Sequence, residues 1–147
     1  MPGTAAGTTL ALSAGKPASL DVSGFAALTY TEVGGLDKLG TFGAKPGKVE
    51  FQPLKGVKQK YKGPVDTGAL GPSMAHDEAD AGQNLLRTAA DDQRGVYACQ
   101  VTYPDGAIRY FLCRVFGYDE AVEGAENMLM GSTTIEIISI IVKKPAA

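Results

Sequence analysis

Few residues in this chain have the types and spacing that chemistry needs. Val65-Asp66-Thr67-Gly68-Ala69 contains Asp-Thr-Gly, in which a carboxylate can share a proton with its counterpart from a second subunit and activate water. Such an Asp should be led in by an apolar strand, but here Lys62-Gly63-Pro64 precedes it. No later pair of aliphatic residues followed by Gly completes a second half. A turn or strand bend accounts for the tripeptide better. His76-Asp77-Glu78-Ala79-Asp80 offers one imidazole and three carboxylates, an incomplete ligand set for a catalytic or structural metal and a good start for a helix. Gly43-Ala44-Lys45-Pro46-Gly47-Lys48 lacks the glycine spacing and the Ser or Thr of a phosphate loop, and Pro46 removes an N–H such a cradle would use. With a single His and no nucleophile–base pair, no triad can be assembled. The chain reads as a non-enzyme with no cofactor and no metal.

Charge is the stronger signal. The chain has 147 residues and a net charge of −2. Residues 1–62 carry eight lysines against four acids, a net of +4. Residues 63–147 carry six bases against twelve acids, a net of −6. Four lysines and Tyr61 crowd into Lys55-Gly56-Val57-Lys58-Gln59-Lys60-Tyr61-Lys62, which could meet nucleic acid, solvent or the acidic half of a neighbouring copy. A pI near 5.4 weighs against a dedicated nucleic-acid binder.

The length suits one domain. The longest apolar run, Ile137-Ile138-Ser139-Ile140-Ile141-Val142, falls far short of the roughly 20 residues of a membrane span. The first residues carry no basic region before an apolar stretch, so the expected compartment is the cytoplasm. Cys99 and Cys113 flank a turn at Pro104-Asp105-Gly106; that loop sets Cys99 opposite Phe111 and makes Cys113 a diagonal neighbour, so both are expected as reduced core thiols.

These residues must be positioned by a mainly β chain. Residues 1–24, rich in Ala, Gly, Thr, Ser and Pro, read as a flexible N-terminal arm. The β domain is expected over 25–142, with 143–147 as a C-terminal tail. Within it, 25–33 and 48–54 read as strands, and Val49 and Phe51 share a face. Residues 43–63 form a basic loop. The segment 65–75 is a strand broken at Gly71-Pro72. One helix, about 77–91, starts at Asp77 and has Ala79, Gly82, Leu85, Leu86 and Ala89 on its apolar stripe. Gly82 should weaken that helix by up to ~1 kcal/mol relative to Ala. A hairpin covers 95–118, its second strand apolar on both faces. The closing run 127–142 would span about 50 Å if straight, against a radius of gyration near 15 Å, so it must bend, with Gly131-Ser132 the expected place, or project to a neighbour.

The chain from Phe25 to Val142 resembles the major tail tube proteins of long-tailed bacteriophages with non-contractile tails, or of phage-derived particles. The resemblance is carried by Leu28-Thr29-Tyr30-Thr31-Glu32-Val33-Gly34-Gly35 and by the loop from Phe51-Gln52-Pro53-Leu54 to Tyr61-Lys62-Gly63. His76-Asp77-Glu78-Ala79-Asp80-Ala81-Gly82-Gln83, Tyr103-Pro104-Asp105-Gly106 and the strand Thr133–Val142 complete it. It implies a β-sandwich or small barrel with one flanking helix, related to the tube of the type VI secretion system. It further implies hexameric rings stacked into a hollow tube whose negatively biased lumen passes genome DNA without specific binding. The implied partners are other copies of the chain and the tape measure, tail terminator and distal tail proteins. The implied location is the virion tail, with assembly in the host cytoplasm. Lys45, Lys48, Lys55, Lys58, Lys60, Tyr61 and Lys62 of the loop, and Ile138, Ile140 and Val142 of the last strand, are the expected contacts between subunits or rings. The competing reading is a β-sandwich binding module, such as a capsid decoration or host-attachment domain.

Overall fold

Alternating apolar residues punctuated by Gly, Pro and Asp divide the chain into eleven strands and two helices in a computed structural model that describes residues 3–146. In order these are β1 (Thr9–Ser13), α1 (Val22–Ala26), β2 (Thr31–Glu32), β3 (Leu36–Lys38), β4 (Lys45–Phe51), β5 (Gln59–Asp66) and β6 (Ala69–Leu70). There follow β7 (Ser73–Ala75), α2 (Ala81–Asp91), β8 (Tyr97–Thr102), β9 (Ile108–Ala121), β10 (Met130–Ile137) and β11 (Val142–Lys144). Nine strands form one antiparallel sheet in the order β2-β1-β8-β9-β10-β7-β3, with β11 added to β9 and β6 to β10. The sheet curls into a half-barrel with α2 against its inner face, the mainly β architecture that the sequence led us to expect. Strands β4 and β5 pair only with each other.

The hairpin β8–β9 forms where the Pro104-Asp105-Gly106 turn dictates. Gly106 takes φ +96°, a value open to Gly, and Asp105 accepts a hydrogen bond from the Ala107 N–H at 2.9 Å. Cys99 lies opposite Phe111 and Cys113 opposite Tyr97, the expected register. Phe111, Cys113 and Val115 face the main core with Cys99, Val101, Leu10, Leu12, Ile135 and Leu86. On the other face Tyr110 and Ala98 pack with Phe25, whose ring stacks on Tyr110 at 5.5 Å between centroids. This explains why β9 is apolar on both sides. Burial and a hydrogen bond to Cys113 push the Cys99 thiol well above its ordinary pKa. Cys99 and Cys113 are both completely buried, so both thiols should react with iodoacetamide at least about a hundredfold more slowly in the native protein than in denaturant, read by mass shift against time. Comparable rates in the two states would contradict this placement.

Several expectations are corrected. The N-terminal arm is not free: Thr9–Ser13 forms β1, paired along its length with β8, and Leu10 and Leu12 are completely buried. Burial of two leucines against a preformed strand outweighs the ordering entropy of so short a segment. Residues 25–33 are not one strand. Asp21 caps α1 by accepting from the Gly24 N–H at 2.7 Å, a bond that lowers its carboxyl pKa, and the run turns extended only at Thr31. Helix α2 starts at Asp80 instead of Asp77, because the Asp80 carboxylate accepts from both the Gln83 N–H (2.9 Å) and the Gly34 N–H (3.0 Å). Asp77 instead accepts from the Ala79 N–H in the turn before the helix.

The closing run bends at 138–141, not at Gly131-Ser132. Its two parts, β10 and β11, pair with successive segments of β9. At the break the Ser139 hydroxyl accepts from the Leu112 N–H at 2.8 Å and stands in for a missing backbone acceptor. Lys143 and Lys144, expected in a loose tail, belong to β11. Met1 and Pro2 of the expected arm, and Ala147 of the expected tail, lie outside the described residues.

Candidate assembly surface

The lysine-rich loop is a two-stranded ribbon. In β4 and β5 the pairs Val49–Tyr61, Phe51–Gln59, Lys48–Lys62 and Glu50–Lys60 alternate between its two faces. One face carries Phe51, Val49 and Tyr61, all between 50 and 57 % exposed, so the expected sharing of a face by Val49 and Phe51 holds but that face meets no core, while the exposed Val65, opposite Pro46 beyond a register shift, falls on the other face. Gly63 sits beside Val49 on the apolar face, where an added Cβ would come within 3.0 Å of the valine methyl. The other face is charged: Glu50 bridges Lys48 and Lys58 at 2.7 Å each, and these two bonds hold its carboxyl below its ordinary pKa. Lys60 and Lys62 have no ion pair among the described residues, and Lys62 faces Lys48 directly, a repulsive cross-strand pair. Lys55 lies in the exposed connection 52–58 with Leu54 and Val57, and Lys45 opens the ribbon opposite Asp66. An isolated two-stranded hairpin is only marginally stable in water, and this ribbon carries its apolar face exposed.

The terminal-strand residues divide. Ile138 and Ile140 are 44 and 60 % exposed at the break between β10 and β11. Val142 is half-buried, opposite Tyr110 and packed on the Phe25–Ala98–Tyr110 cluster, so it serves the fold within its own chain.

A second surface escaped the sequence reading as a unit. The end of β9 and its connection to β10 carry Asp119, Glu120, Glu123 and Glu126 with no base between residues 119 and 129, and this whole stretch is exposed. Its geometry is set by an irregularity at Phe116-Gly117. Gly117 has φ +82°, and the pairing slips between Thr133 and Ile135. Simple alternation along β9 is reversed there, which turns Tyr118 and Glu120 towards His76. The one usable signal in the sequence was four acids in eight residues.

His76 is held in a satisfied chain of contacts. Its Nδ1 lies 3.0 Å from the Tyr118 hydroxyl, its Nε2 lies 2.7 Å from Glu78 and 3.8 Å from Glu120, and the Arg87 guanidinium sits 5.4 Å above the Tyr118 ring. Donor atoms of His76, Glu78 and Glu120 fall within 4.8 Å of one another. One nitrogen already bonded to Glu78, two exposed carboxylates and a nearby Arg87 form a polar clamp tying the α2 entry to β9. The hydrogen bond with His76, together with its charge, holds the Glu78 carboxyl below its ordinary 4.5. A depressed carboxyl contributes stability above its unfolded pKa and loses it as pH falls through the folded value. Acid unfolding of the wild type should therefore steepen below about pH 4.5 relative to Glu78→Gln. Parallel curves down to the acid limit would rule the clamp out.

Asp66 accepts from the Gly68 N–H at 2.9 Å, and the Thr67 hydroxyl donates to the Ile137 carbonyl at 3.1 Å. Asp-Thr-Gly is thus the turn that leads out of β5. Gly43-Ala44-Lys45-Pro46-Gly47-Lys48 runs into extended β4 and makes no cradle.

No family model matches the sequence, and no curated protein is similar to it. Solved structures are similar in fold. A chain in the cryo-EM structure of the anti-feeding prophage baseplate, six-fold symmetrised, superposes with a TM-score of 0.69 at 7% identity over 99% of this chain and 97% of that one. A chain in the sheath/tube terminator of an extracellular contractile injection system in the extended state gives 0.68 at 7% identity over 99% and 98%. The SPP1 tail tube gives 0.68 at 12% identity over 97% of this chain and 79% of that one. Across almost its whole length, this chain has the fold of the SPP1 tail tube and of these injection-system chains.

Proposed function

We propose that this chain is the structural subunit of a tail tube, in a long-tailed phage or a phage-derived particle. Copies join into hexameric rings, and the rings stack into a hollow conduit that delivers DNA into the host. The subunit belongs to the virion tail, assembles in the host cytoplasm and performs no catalysis. Its partners are other copies of itself and the tape measure, terminator and distal tail proteins; DNA passes without specific binding. The resemblance of the sequence supports a tube of the non-contractile class.

The observation that carries this reading is the match of nearly the entire chain to the SPP1 tail tube at a TM-score of 0.68. The exposed ribbon β4–β5 supports it, since an apolar face outside any core suits a protein that is completed by its neighbours. Electron microscopy of the concentrated protein should show six-fold rings or tubes. A monodisperse monomer at every concentration, alone and with other tail proteins, would overturn the reading. Phe51→Asp should abolish assembly and leave the monomer's melting temperature within about 2 °C of wild type, because Phe51 touches no core and surface changes act within about 0.5 kcal/mol. An equal loss of assembly and of monomer stability would place Phe51 in the fold instead.

A further inference from the structure

The two charged surfaces leave the same strand at opposite ends. The base of the ribbon is tied to the C-terminal end of β10: the Thr67 hydroxyl donates to the Ile137 carbonyl at 3.1 Å, and the Ile137 N–H donates to the Gly68 carbonyl at 3.0 Å. The acidic connection enters β10 at Met130. Seven residue steps of extended chain separate the two points by about 23 Å. The ribbon from Lys45 to Asp66 carries six lysines against two acids, a net of +4. The stretch from Asp119 to Leu129, the end of β9 and its connection to β10, carries four acids and no base, a net of −4. Within the chain each surface stays largely unneutralised: Lys60 and Lys62 have no ion pair among the described residues, nor have Asp119, Glu123 and Glu126.

We infer that the basic ribbon of one copy docks on the acidic β9–β10 connection of the next copy, head to tail. The proposal rests on the tube reading and names the surface that receives the ribbon. Two different surfaces placed a strand's length apart generate a ring or a filament, whereas one self-complementary patch would stop at a dimer. The lysine face of the ribbon, on the reverse of Phe51, Val49 and Tyr61, is the one that meets the acids, and charge placed across a contact sets register and partner choice.

The test uses two full-length variants, Lys60→Glu/Lys62→Glu and Glu123→Lys/Glu126→Lys. The first takes the ribbon from +4 to 0 and sets acids at 60 and 62 against Glu123 and Glu126; the second takes the acidic segment from −4 to 0 and sets bases at 123 and 126 against Lys60 and Lys62. Each alone should assemble only at a concentration raised about tenfold or more over wild type, as read by sedimentation and electron microscopy, with an unchanged monomer melt. Mixed in equal amounts they should assemble together within about threefold of wild type, because in alternating contacts positions 60 and 62 always meet positions 123 and 126 with opposite charge. Combining all four changes in one chain should restore assembly to the same extent. If wild type forms tubes and the variants do so equally well alone, this pairing is overturned and the tube reading stands. Variants impaired alone and still impaired in the mixture and in the fourfold chain also overturn it. A wild type that forms neither rings nor tubes takes down the tube reading, and this pairing with it.

Discussion

Gln83→Leu should lower the stability of the subunit by about 3–5 kcal/mol, although it replaces a polar residue with an apolar one of similar size at a fully buried site. The Gln83 amide is saturated. Its Nε2 donates to the Gly34 carbonyl and the Ala75 carbonyl, each at 2.8 Å, and its Oε1 accepts from the Asp77 N–H at 2.9 Å. Leucine would leave three backbone groups without their partner, each worth roughly 1–3 kcal/mol, against the modest gain of added apolar burial. The amide joins the β2–β3 turn, the end of β7 and the approach to α2, so the loss falls on the junction that seats the helix. Equilibrium denaturation should show a lower midpoint at unchanged slope. Gln83→Glu should be at least as damaging, because it points a buried carboxylate at two carbonyl oxygens. A midpoint equivalent to less than about 1 kcal/mol of loss would mean that water takes over the amide's bonds.

Gly82→Ala should destabilise by about 3 kcal/mol or more, opposite in sign to what helix propensity dictates. Propensity alone promises a gain of up to ~1 kcal/mol. However, a Cβ at Gly82 would overlap the Glu32 carbonyl group and the Val33 Cα, which are backbone atoms of the strand beneath and cannot rotate away. The helix would have to lift from β2, pulling on the Asp80–Gly34 bond and on Gln83 beside it. Thr88→Ala, on the exposed side of the same helix, is the control and should change stability by no more than about 0.5 kcal/mol. A stabilised Gly82→Ala would show that the sheet yields to the helix.

What could be read beforehand was local. The Pro104-Asp105-Gly106 turn specified its own register, and the facing of Cys99 and Phe111 followed. The interruption at Gly71-Pro72 separates β6 from β7 as its residues suggest. The lysine-rich segment stands apart from the core, and most residues expected to make contacts between subunits, Lys60 and Tyr61 among them, are exposed. What escaped depended on distant partners. Leu10-Ala11-Leu12 is too short to signal a strand without knowledge of β8, about ninety residues later. Gly82 looked like a weak point in a helix because the backbone that demands it belongs to β2. Gln83 lies beside the apolar stripe of α2 and was not marked as core, since the groups it satisfies come from three other segments. Period-two reading of β9 failed past Gly117, where one irregularity exchanges the faces and brings Glu120 to His76.

The pairing of β1 with β8 also sets an order in time. At ~5–20 residues per second, the first strand leaves the ribosome roughly 4–18 s before the strand it must pair with. The ribbon β4–β5 needs no such wait, because its strands are adjacent in the chain and a hairpin closes in about 1–10 μs. Apart from the two-residue contact of β1 with β2, the earliest pairing available to the nascent chain is therefore the one that ends outside the core, with Val49, Phe51 and Tyr61 uncovered. Lysines on the reverse of that ribbon give two neighbouring nascent chains like charges, which repel and act as gatekeepers beside the uncovered apolar face.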